Sequence, residues 1–261
     1  MEKLSAVIIT YNEEKNIARC LESLTKVADE IIVVDSFSDD KTKEICLNYD
    51  VCFIENKFEG HIEQKNFAAT KASYNLILSV DADEVLSVEL QKSILQVKKN
   101  PDFDGYYFNR MTNYCGKWIK HCGWYPDKKH RLWKKGKAHW GGKNPHDKII
   151  MHENSTTKYL KGDLFHYSYH SVNQHVAQIN NFTEIVANED FKNGKKSSLI
   201  IAIVKSKWKF LKDFFIKLGF LDGYYGYIIC KLSAKATFIK YIKLNELYKK
   251  KQNANNSKSY R

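Results

Sequence analysis

Two carboxylates follow directly after an apolar segment in the first third of the chain. Asp81 and Asp83 come after residues 76–80, a run that is typical of a buried β-strand. Alternate residues of an extended segment point to the same side, so we expect these two side chains to face one site. Two such charges repel each other by up to about 4 kcal/mol at 4 Å and an effective dielectric near 20, and a divalent cation would reverse that term.

The ligand types also predict which cation binds. Hard oxygen ligands in small number suit Mg²⁺ or Mn²⁺ that is shared with substrate phosphates. The alternative is that Asp81 and Asp83 form a solvated acidic turn, or cap the helix expected near Ser87. Their place at the end of a predicted strand favours the metal site, because ligands of open α/β sheets bind beyond the carboxyl ends of the strands.

The elements that must position this pair alternate between two hydrophobic periodicities. Continuous apolar runs predict strands, and residues spaced i, i+4, i+7 between them predict helices, the first with Asn12 as its N-cap. This βαβ series predicts an α/β fold with a doubly wound, mostly parallel sheet, which later short strands complete. The predicted strands are 6–10, 31–35, 51–55, 76–81, 106–110, 130–134 and 158–161, and the predicted helices are 13–27, 39–45, 63–72, 87–100 and 171–191.

Three sequence blocks follow one another along the first third of the chain. They are residues 6–14 (AVIITYNEE), 32–42 (IVVDSFSDDKT), and 64–66 with 78–84 (QKN and LSVDADE). In this order and at these distances they resemble the family-2 inverting glycosyltransferases of the GT-A fold. Residues 122–127 (CGWYPD), 131–133 (RLW) and 145–147 (PHD) further resemble the lipopolysaccharide core β-glucosyltransferase branch of that family. The resemblance implies inverting transfer of a hexose, such as glucose, from a UDP-sugar donor with Mg²⁺ or Mn²⁺.

The same resemblance implies nucleotide contacts at the strand ends. Asp35 matches a carboxylate that contacts the base, Lys65 stands where a basic residue approaches the diphosphate, and Asp81 would contact ribose. Asp83 would bind the metal. The other positions that hold base and ribose match Thr10, Tyr11 and Glu13. The competing interpretations are a packed aromatic at Tyr11, a helix cap at Asp35 and a solvent-facing Lys65.

Inverting transfer also needs a carboxylate that takes the proton of the acceptor hydroxyl. Asp147 is the candidate, because it follows the flexible pair Gly141-Gly142 and matches the acidic position of the family after the sheet. Asp127 is the rival candidate, although an ion pair with a nearby basic residue explains it equally simply. His166 falls where some GT-A enzymes place a metal-ligating histidine, and the alternative for it is a purely structural role.

Charge is distributed very unevenly along the chain. Residues 192–251 hold fifteen lysines against three acidic residues, a net charge of +12, whereas residues 1–191 carry about −2. We therefore expect a catalytic domain at 1–191, a basic, mainly helical extension at 192–251 and a disordered tail at 252–261. Lysines interleaved with apolar residues favour an interfacial helix pair on anionic lipid, and the alternative is a helical hairpin with solvated lysines.

Location and partners follow from further patterns. No secretory signal or spanning run is visible, and six cysteines without a CxxC pair are typical of reduced thiols, so we expect a cytoplasmic protein, peripheral at the inner face of the membrane. The expected acceptor is a saccharide or a lipid-linked saccharide.

Nucleic acid is not expected as a partner, because arginines are scarce in the basic extension. A nucleotidyltransferase that makes activated sugars is the second hypothesis, but the glycine-rich phosphate loop it requires is missing after the first strand.

Overall fold

A computed structural model describes residues 1–143 and 146–258, and for residues 143, 146 and 253–258 it describes the backbone alone. The chain divides into two compact units. The first unit comprises residues 1–112 and 126–168, and the second comprises 113–125 and 169–261. This division differs from the expected boundary at residue 191, because the helix that ends near this point groups with the second unit.

The first unit is built on one mixed sheet with the strand order β3-β2-β1-β4-β8-β6-β11-β5. The four strands β3, β2, β1 and β4 pair in parallel, and β8 then pairs antiparallel with both β4 and β6. The predicted doubly wound α/β sheet is thus confirmed. The strands of all the described residues are β1 (Leu4–Thr10), β2 (Glu30–Asp35), β3 (Cys52–Glu55), β4 (Leu76–Asp81), β5 (Glu84–Leu86), β6 (Gly105–Tyr114), β7 (Lys117–Trp118), β8 (Asp127–Lys134), β9 (Ala138–Lys143), β10 (His146–Met151) and β11 (Thr157–Tyr169).

Helices cover the parallel part of the sheet on its two faces, and two separate apolar clusters result. Ile8 and Leu78 belong to one cluster, and Val7 and Ile77 to the other, as expected for strands buried on both sides. The Ser87 hydroxyl accepts a hydrogen bond from the Leu90 amide at 3.2 Å and caps the fourth helix as predicted. The helices of this unit are α1 (Ile17–Leu24), α2 (Thr42–Cys46), α3 (His61–Lys71) and α4 (Val88–Lys99).

The prediction that Asn12 is the N-cap of the first helix is wrong. Helix α1 begins only at Ile17, and Asn12 adopts a left-handed conformation with φ of 55° in the turn after β1. Asparagine tolerates this conformation because its short polar side chain bonds to nearby backbone. The Asn12 side-chain oxygen accepts the Asp39 amide at 3.0 Å, so the residue joins the turns after β1 and β2.

A hairpin that sequence periodicity did not indicate follows β8. Strands β9 and β10 pair antiparallel, with Lys148 opposite Gly141 and Asp147 opposite Gly142. The glycines that predicted a flexible turn therefore lie within a strand. A side chain at Gly141 would place its Cβ 2.6 Å from Ile150 Cδ1, so this position accepts only glycine without a shift. Residues 144 and 145 of the predicted motif lie outside the described residues.

The second unit is mainly helical. Its apolar cluster joins Tyr114, Ile119 and Cys122 of its short N-terminal part to Ile229 and Cys230 of its last helix. A π-helical turn (Lys212–Ile216) and a 3₁₀ turn (Gly219–Asp222) connect its long helices. The helices are α5 (Val172–Lys192), α6 (Leu199–Leu211) and α7 (Gly223–Lys258).

Helix α7 extends through Lys258, into the segment from residue 252 for which we expect disorder. Residues 259–261 of that segment lie outside the described part. Among the described residues, no helix combines the length and the apolar character needed to cross a bilayer.

Candidate active site

The tip of β1 presents an aromatic ring to solvent. Tyr11 is 58% exposed, so it is not the packed aromatic of the competing interpretation. Thr10 precedes it and is buried, and its hydroxyl has no hydrogen-bond partner among the described residues. An exposed ring beside a buried, unpaired hydroxyl can stack on a planar base and bond to it.

The turn after β2 is organised around Asp35. Its two carboxylate oxygens accept from the Ser38 amide at 2.7 Å and the Ser38 hydroxyl at 2.5 Å. The Ser38 hydroxyl in turn accepts the Asn12 amide at 2.9 Å. Asp35 is buried, and its carboxylate thus shapes the turn that lies next to the tip of β1. The parallel register of Thr10 with Asp35 explains why the two tips are adjacent.

Glu13 carries a carboxyl group with unusual acidity. Its pKa is raised from 4.5 to about 7, mainly by burial and also by the nearby carboxylates of Asp83, Asp40 and Asp81. A hydrogen bond from the Asn16 amide group, 2.7 Å long, works in the opposite direction. The strand tips therefore gather several acidic groups in one electrostatically coupled region, and this arrangement favours binding of a cation or a proton.

Lys65 lies between two of the predicted acidic residues. Its Nζ is 2.8 Å from Asp81 Oδ1 and 2.7 Å from Asp147 Oδ2, and only 7% of its side chain is exposed. The same ammonium lies 4.2 Å from the centre of the Trp140 ring. The solvent-facing interpretation of Lys65 is therefore wrong. Helix α3 brings the lysine to the end of β4, and hairpin β9–β10 brings Asp147 to the lysine.

Asn66, the next residue on α3, holds this hairpin in place. Its amide nitrogen donates to the Trp140 carbonyl at 2.8 Å, and its amide oxygen accepts the Trp140 backbone N–H at 2.9 Å. Because the neighbouring Lys65 bonds to Asp147, two consecutive residues of α3 fix both strands of the hairpin. The position of Asp147 thus depends on side-chain contacts from an element 82 residues earlier in the chain.

Arg131 forms the second cationic contact of Asp81. Its Nη2 lies 3.0 Å from Asp81 Oδ2 and 2.9 Å from Oε1 of Glu84, whose side chain is fully buried. Although burial opposes ionisation, Lys65 and Arg131 hold the pKa of Asp81 far below its usual range. Sequence reasoning missed Glu84 and the role of Arg131, although both lie inside the motifs that carry the family resemblance.

Asp81 and Asp83 are engaged separately, contrary to the strand-alternation argument. Strand β4 ends at Asp81, and Asp83 lies in the turn between β4 and β5. Asp83 Oδ2 is 3.1 Å from Nε2 of His166, which the antiparallel register of β11 and β5 sets opposite Glu84. The tertiary structure therefore pairs the two residues that were assigned to a metal, while Asp81 faces cationic groups.

The Asp83–His166 pair fits a divalent cation. Neighbouring ligands of a six-coordinate ion are about 3 Å apart at metal–ligand distances of about 2.0–2.1 Å, and the two donor atoms are 3.1 Å apart. Nδ1 of His166 is buried without a partner among the described residues. No cluster of three or more acidic, histidine or cysteine side chains suited to a metal occurs in the described ranges. Such a two-ligand site suits Mg²⁺ or Mn²⁺ that is completed by substrate phosphates.

The rival base, Asp127, is committed to structural contacts. Oδ2 of Asp127 is 2.9 Å from Arg110 Nη2 and 3.1 Å from Arg110 Nε, and its other oxygen is 3.1 Å from Lys129 Nζ. Arg110 thus holds one carboxylate oxygen and Lys129 the other, which matches the ion-pair interpretation of Asp127. Asp147, in contrast, contacts the lysine that also reaches the strand-tip carboxylate.

Comparisons with known proteins are consistent across most of the chain. Residues 5–153 match the family model described as glycosyl transferase family 2. An uncharacterized glycosyltransferase of Rickettsia typhi is 32% identical over 270 residues, which cover 100% of this chain and 92% of that protein. The lipopolysaccharide core biosynthesis glycosyltransferase LpsC of Rhizobium meliloti is 25% identical and covers 97% of this chain and 95% of its own length. Residues 1–349 of S. aureus TarS, crystallised with UDP, align at a TM-score of 0.46 and 17% identity over 95% of this chain and 91% of that one.

Proposed function

This chain belongs to glycosyl transferase family 2. We propose that it transfers a hexose, with glucose as the first candidate, from a UDP-sugar to a saccharide acceptor, and that the configuration at the anomeric carbon is inverted. The contact that carries this proposal is the bridge from Asp81 through Lys65 to Asp147. It joins a carboxylate at the tip of the parallel sheet to a second carboxylate on the hairpin. Such a pair of sites is what a transfer between a bound donor and an acceptor hydroxyl requires.

The nucleotide would bind at the tips of β1 and β2. The exposed ring of Tyr11 offers a stacking surface to the base, and the unpaired Thr10 hydroxyl and the Glu13 carboxyl offer hydrogen bonds to base and ribose. Asp35 would contact the base, and Asp81 would accept from ribose. Because Asp81 is held ionised by Lys65 and Arg131, it can act as a permanent hydrogen-bond acceptor.

Asp83 and His166 would hold Mg²⁺ or Mn²⁺ beside the donor diphosphate. A divalent cation at this place supplies charge neutralisation for a leaving nucleoside diphosphate. Lys65 adds a positive charge from the chain itself, within 3 Å of the strand-tip carboxylate. Glu13 would respond to that ion, because the carboxylates of Asp83 and Asp81 contribute to its raised pKa.

Asp147 would act as the general base. Its carboxylate takes the proton of the acceptor hydroxyl while the hydroxyl oxygen forms a bond to the anomeric carbon. The bond from that carbon to the phosphate oxygen breaks with its electron pair, so UDP leaves and the configuration inverts. Lys65 orients Asp147 through the 2.7 Å contact and keeps one carboxylate oxygen engaged while the other stays available.

We further propose that the second unit attaches to an anionic membrane surface, so that a lipid-linked saccharide can serve as acceptor at the inner face of the cell membrane. Large apolar side chains of α6, of the connection to α7 and of the first turn of α7 are exposed, a composition typical of an interfacial segment. The most exposed are Ile200 (74%), Tyr224 (69%), Ile216 (64%), Val204 (58%) and Leu221 (57%). Lysines occur at five positions between residues 205 and 217, and each lysine near anionic lipid contributes about 1 kcal/mol.

Thermal unfolding with nucleotides tests the donor site directly. UDP with Mn²⁺ should raise the melting temperature more than UDP alone, and more than GDP or CMP with the same ion. Asp83→Ala should remove the gain that depends on Mn²⁺ while leaving the unliganded melting temperature nearly unchanged, because Asp83 lies in a partly exposed turn. Stabilisation by GDP instead of UDP, or a full response to Mn²⁺ in Asp83→Ala, would overturn this assignment.

A further inference from the structure

A cavity of about 490 Å³ opens in the first unit beside Lys65, Asp81 and Asp147. The proposed base and the tip of β4 therefore form part of the cavity wall. The rest of its wall comes mainly from β6, β8 and the β9–β10 hairpin. The side chains there that the following argument uses are Arg110, Lys128, Lys129, Arg131, Trp140 and Lys148.

The cavity extends away from the proposed nucleotide positions. In the sheet, β1 and β2 lie on one side of β4, whereas β8 and β6 lie on the other side. Of the described residues that line the cavity, none belongs to β1, β2 or the turns that follow them. The donor nucleotide would occupy the first side, so the cavity lies where the acceptor must approach Asp147.

Positive charge dominates this wall. Six lysine and arginine side chains line the cavity, against the carboxylates of Asp81 and Asp147. Arg110 and Lys129 are already paired with Asp127 behind the wall. Lys128 and Lys148 are exposed, and neither forms an ion pair within the described part of the chain. The wall therefore offers two cations that no carboxylate of the described residues neutralises.

Two buried hydrogen-bond donors on the same wall also lack partners. Arg131 is 3% exposed, and its Nε and Nη1 atoms have no acceptor among the described residues. Trp140 is likewise 3% exposed, and its Nε1 has no acceptor there either. Buried donors are almost always paired in folded proteins, so two such groups beside one cavity indicate an acceptor-rich ligand.

We propose that this cavity selects an acceptor saccharide that carries an anionic group, either a phosphate ester or a carboxylate, close to the hydroxyl that is glycosylated. The inference rests on the proposed glycosyltransferase function and names its acceptor class. The anionic group pairs with Lys128 and Lys148, and its oxygens accept from Arg131 and Trp140. A neutral saccharide leaves these cations unpaired and gains no such contacts, so the charge provides specificity.

Indole resonances report on this cavity directly. The chain has five tryptophans, so protein labelled with ¹⁵N-tryptophan gives five indole N–H signals, and Trp140→Phe identifies the one of interest. Protein saturated with UDP and Mg²⁺, which unlike Mn²⁺ does not broaden the signals, is titrated with glucose 6-phosphate, glucuronate and glucose at constant ionic strength. We expect the Trp140 signal to shift at a concentration at least about tenfold lower for one or both anionic sugars than for glucose. The phosphate and carboxylate arms identify which group is preferred.

Matched variants assign the effect to charge. Lys128→Gln and Lys148→Gln should each weaken binding of the anionic sugar about threefold, as expected for exposed charges, and the double variant should weaken it about tenfold. Lys92→Gln, an exposed lysine of α4 outside the cavity, should leave binding unchanged. The melting-temperature gain from UDP and Mn²⁺ should stay the same in all three single variants.

Three results would overturn the inference. One is an equal response of Trp140 to glucose and to the anionic sugars, and another is unchanged binding in the double variant. The third is a Trp140 signal that UDP and Mg²⁺ shift by themselves, with no further change on adding sugars, because the cavity would then hold the donor diphosphate. In each case the stabilisation by UDP remains an independent measurement, so the glycosyltransferase proposal is tested separately.

Discussion

The ammonium group of Lys65 lies 2.7 Å from the carboxylate of Asp147, which is 82 positions later in the chain. The same ammonium is 2.8 Å from Asp81, at the end of the fourth strand. One buried side chain therefore sets the distance between the proposed donor site and the proposed base. Changes at either end of this bridge should have separable effects on catalysis and on stability.

Asp147→Asn should lower kcat about 10²–10⁴-fold, because the amide cannot accept the proton of the acceptor hydroxyl. The KM for UDP-glucose should change little, since Asp147 lies outside the proposed nucleotide contacts. Steady-state release of UDP with an anionic sugar acceptor measures both constants. Asp127→Asn is the matched control, and a larger loss of kcat in that variant would make Asp127 the base.

Glu84→Met should lower the free energy of unfolding by about 3 kcal/mol, because it removes a fully buried partner of Arg131. Urea denaturation followed by circular dichroism measures this loss. The double variant Glu84→Met with Arg131→Met should recover part of it, since the buried guanidinium that has lost one of its two carboxylate partners is then also absent. Glu89→Gln, in the first turn of α4, serves as the control. Equal losses in the single and double variants would contradict the ion-pair explanation.

Uridine affinity should rise as the pH increases from 6 to 8. Glu13 has a pKa raised from 4.5 to about 7, first by burial and then by nearby carboxylates. Its ionised fraction, which accepts hydrogen bonds from ribose, grows roughly tenfold over this range. The same shift means that this group stabilises the fold at low pH and that its contribution is lost as the pH rises through 7.

Calorimetric titration with uridine, which has no phosphate that titrates, isolates this effect. Glu13→Gln should flatten the pH profile of uridine affinity while the protein remains folded. An unchanged profile in that variant would show that another group controls nucleotide binding.

His166→Ala should raise the Mn²⁺ concentration needed for half-maximal stabilisation by UDP by about tenfold or more, because the pair with Asp83 loses one of its two donors. His130→Ala is the matched control, since that histidine lines the cavity and not the proposed metal pair. Fluorescence-detected unfolding over a series of Mn²⁺ concentrations gives the comparison. If His130→Ala raises the required Mn²⁺ concentration more than His166→Ala does, the ion does not bind at the Asp83–His166 pair.

Flotation with liposomes tests membrane attachment. Full-length protein should float with vesicles that contain anionic lipid, and should float less at high salt. Ile200→Asn combined with Phe215→Asn should reduce binding severalfold, because these side chains are 74% and 55% exposed in the second unit. Val88→Asn alters a 66% exposed residue of the first unit and should have no effect. If the wild-type protein, the double variant and Val88→Asn float equally, Ile200 and Phe215 do not form the surface that contacts the membrane.

Sequence reasoning was most successful where a periodic pattern coincided with burial. The strands from residue 4 to 81 lie within two residues of their predicted bounds. Three of them, β1, β2 and β4, are continuous apolar runs that are almost fully buried. The helix capped by Ser87 was also anticipated from local chemistry. The hairpin β9–β10 was not, since glycines and a tryptophan there give no alternation that distinguishes a strand from a loop.

The sequence by itself determined which residues stand at the strand tips, because the apolar runs that precede Thr10, Asp35 and Asp81 are local properties of the chain. It also determined the family, through motifs read in order. Only the tertiary structure decided the partners of those residues: Asp81 faces Lys65 and Arg131 while Asp83 faces His166. The physical reason is that electrostatic partners depend on distances in space, and these distances are set by helix and strand packing across segments that lie far apart in the chain.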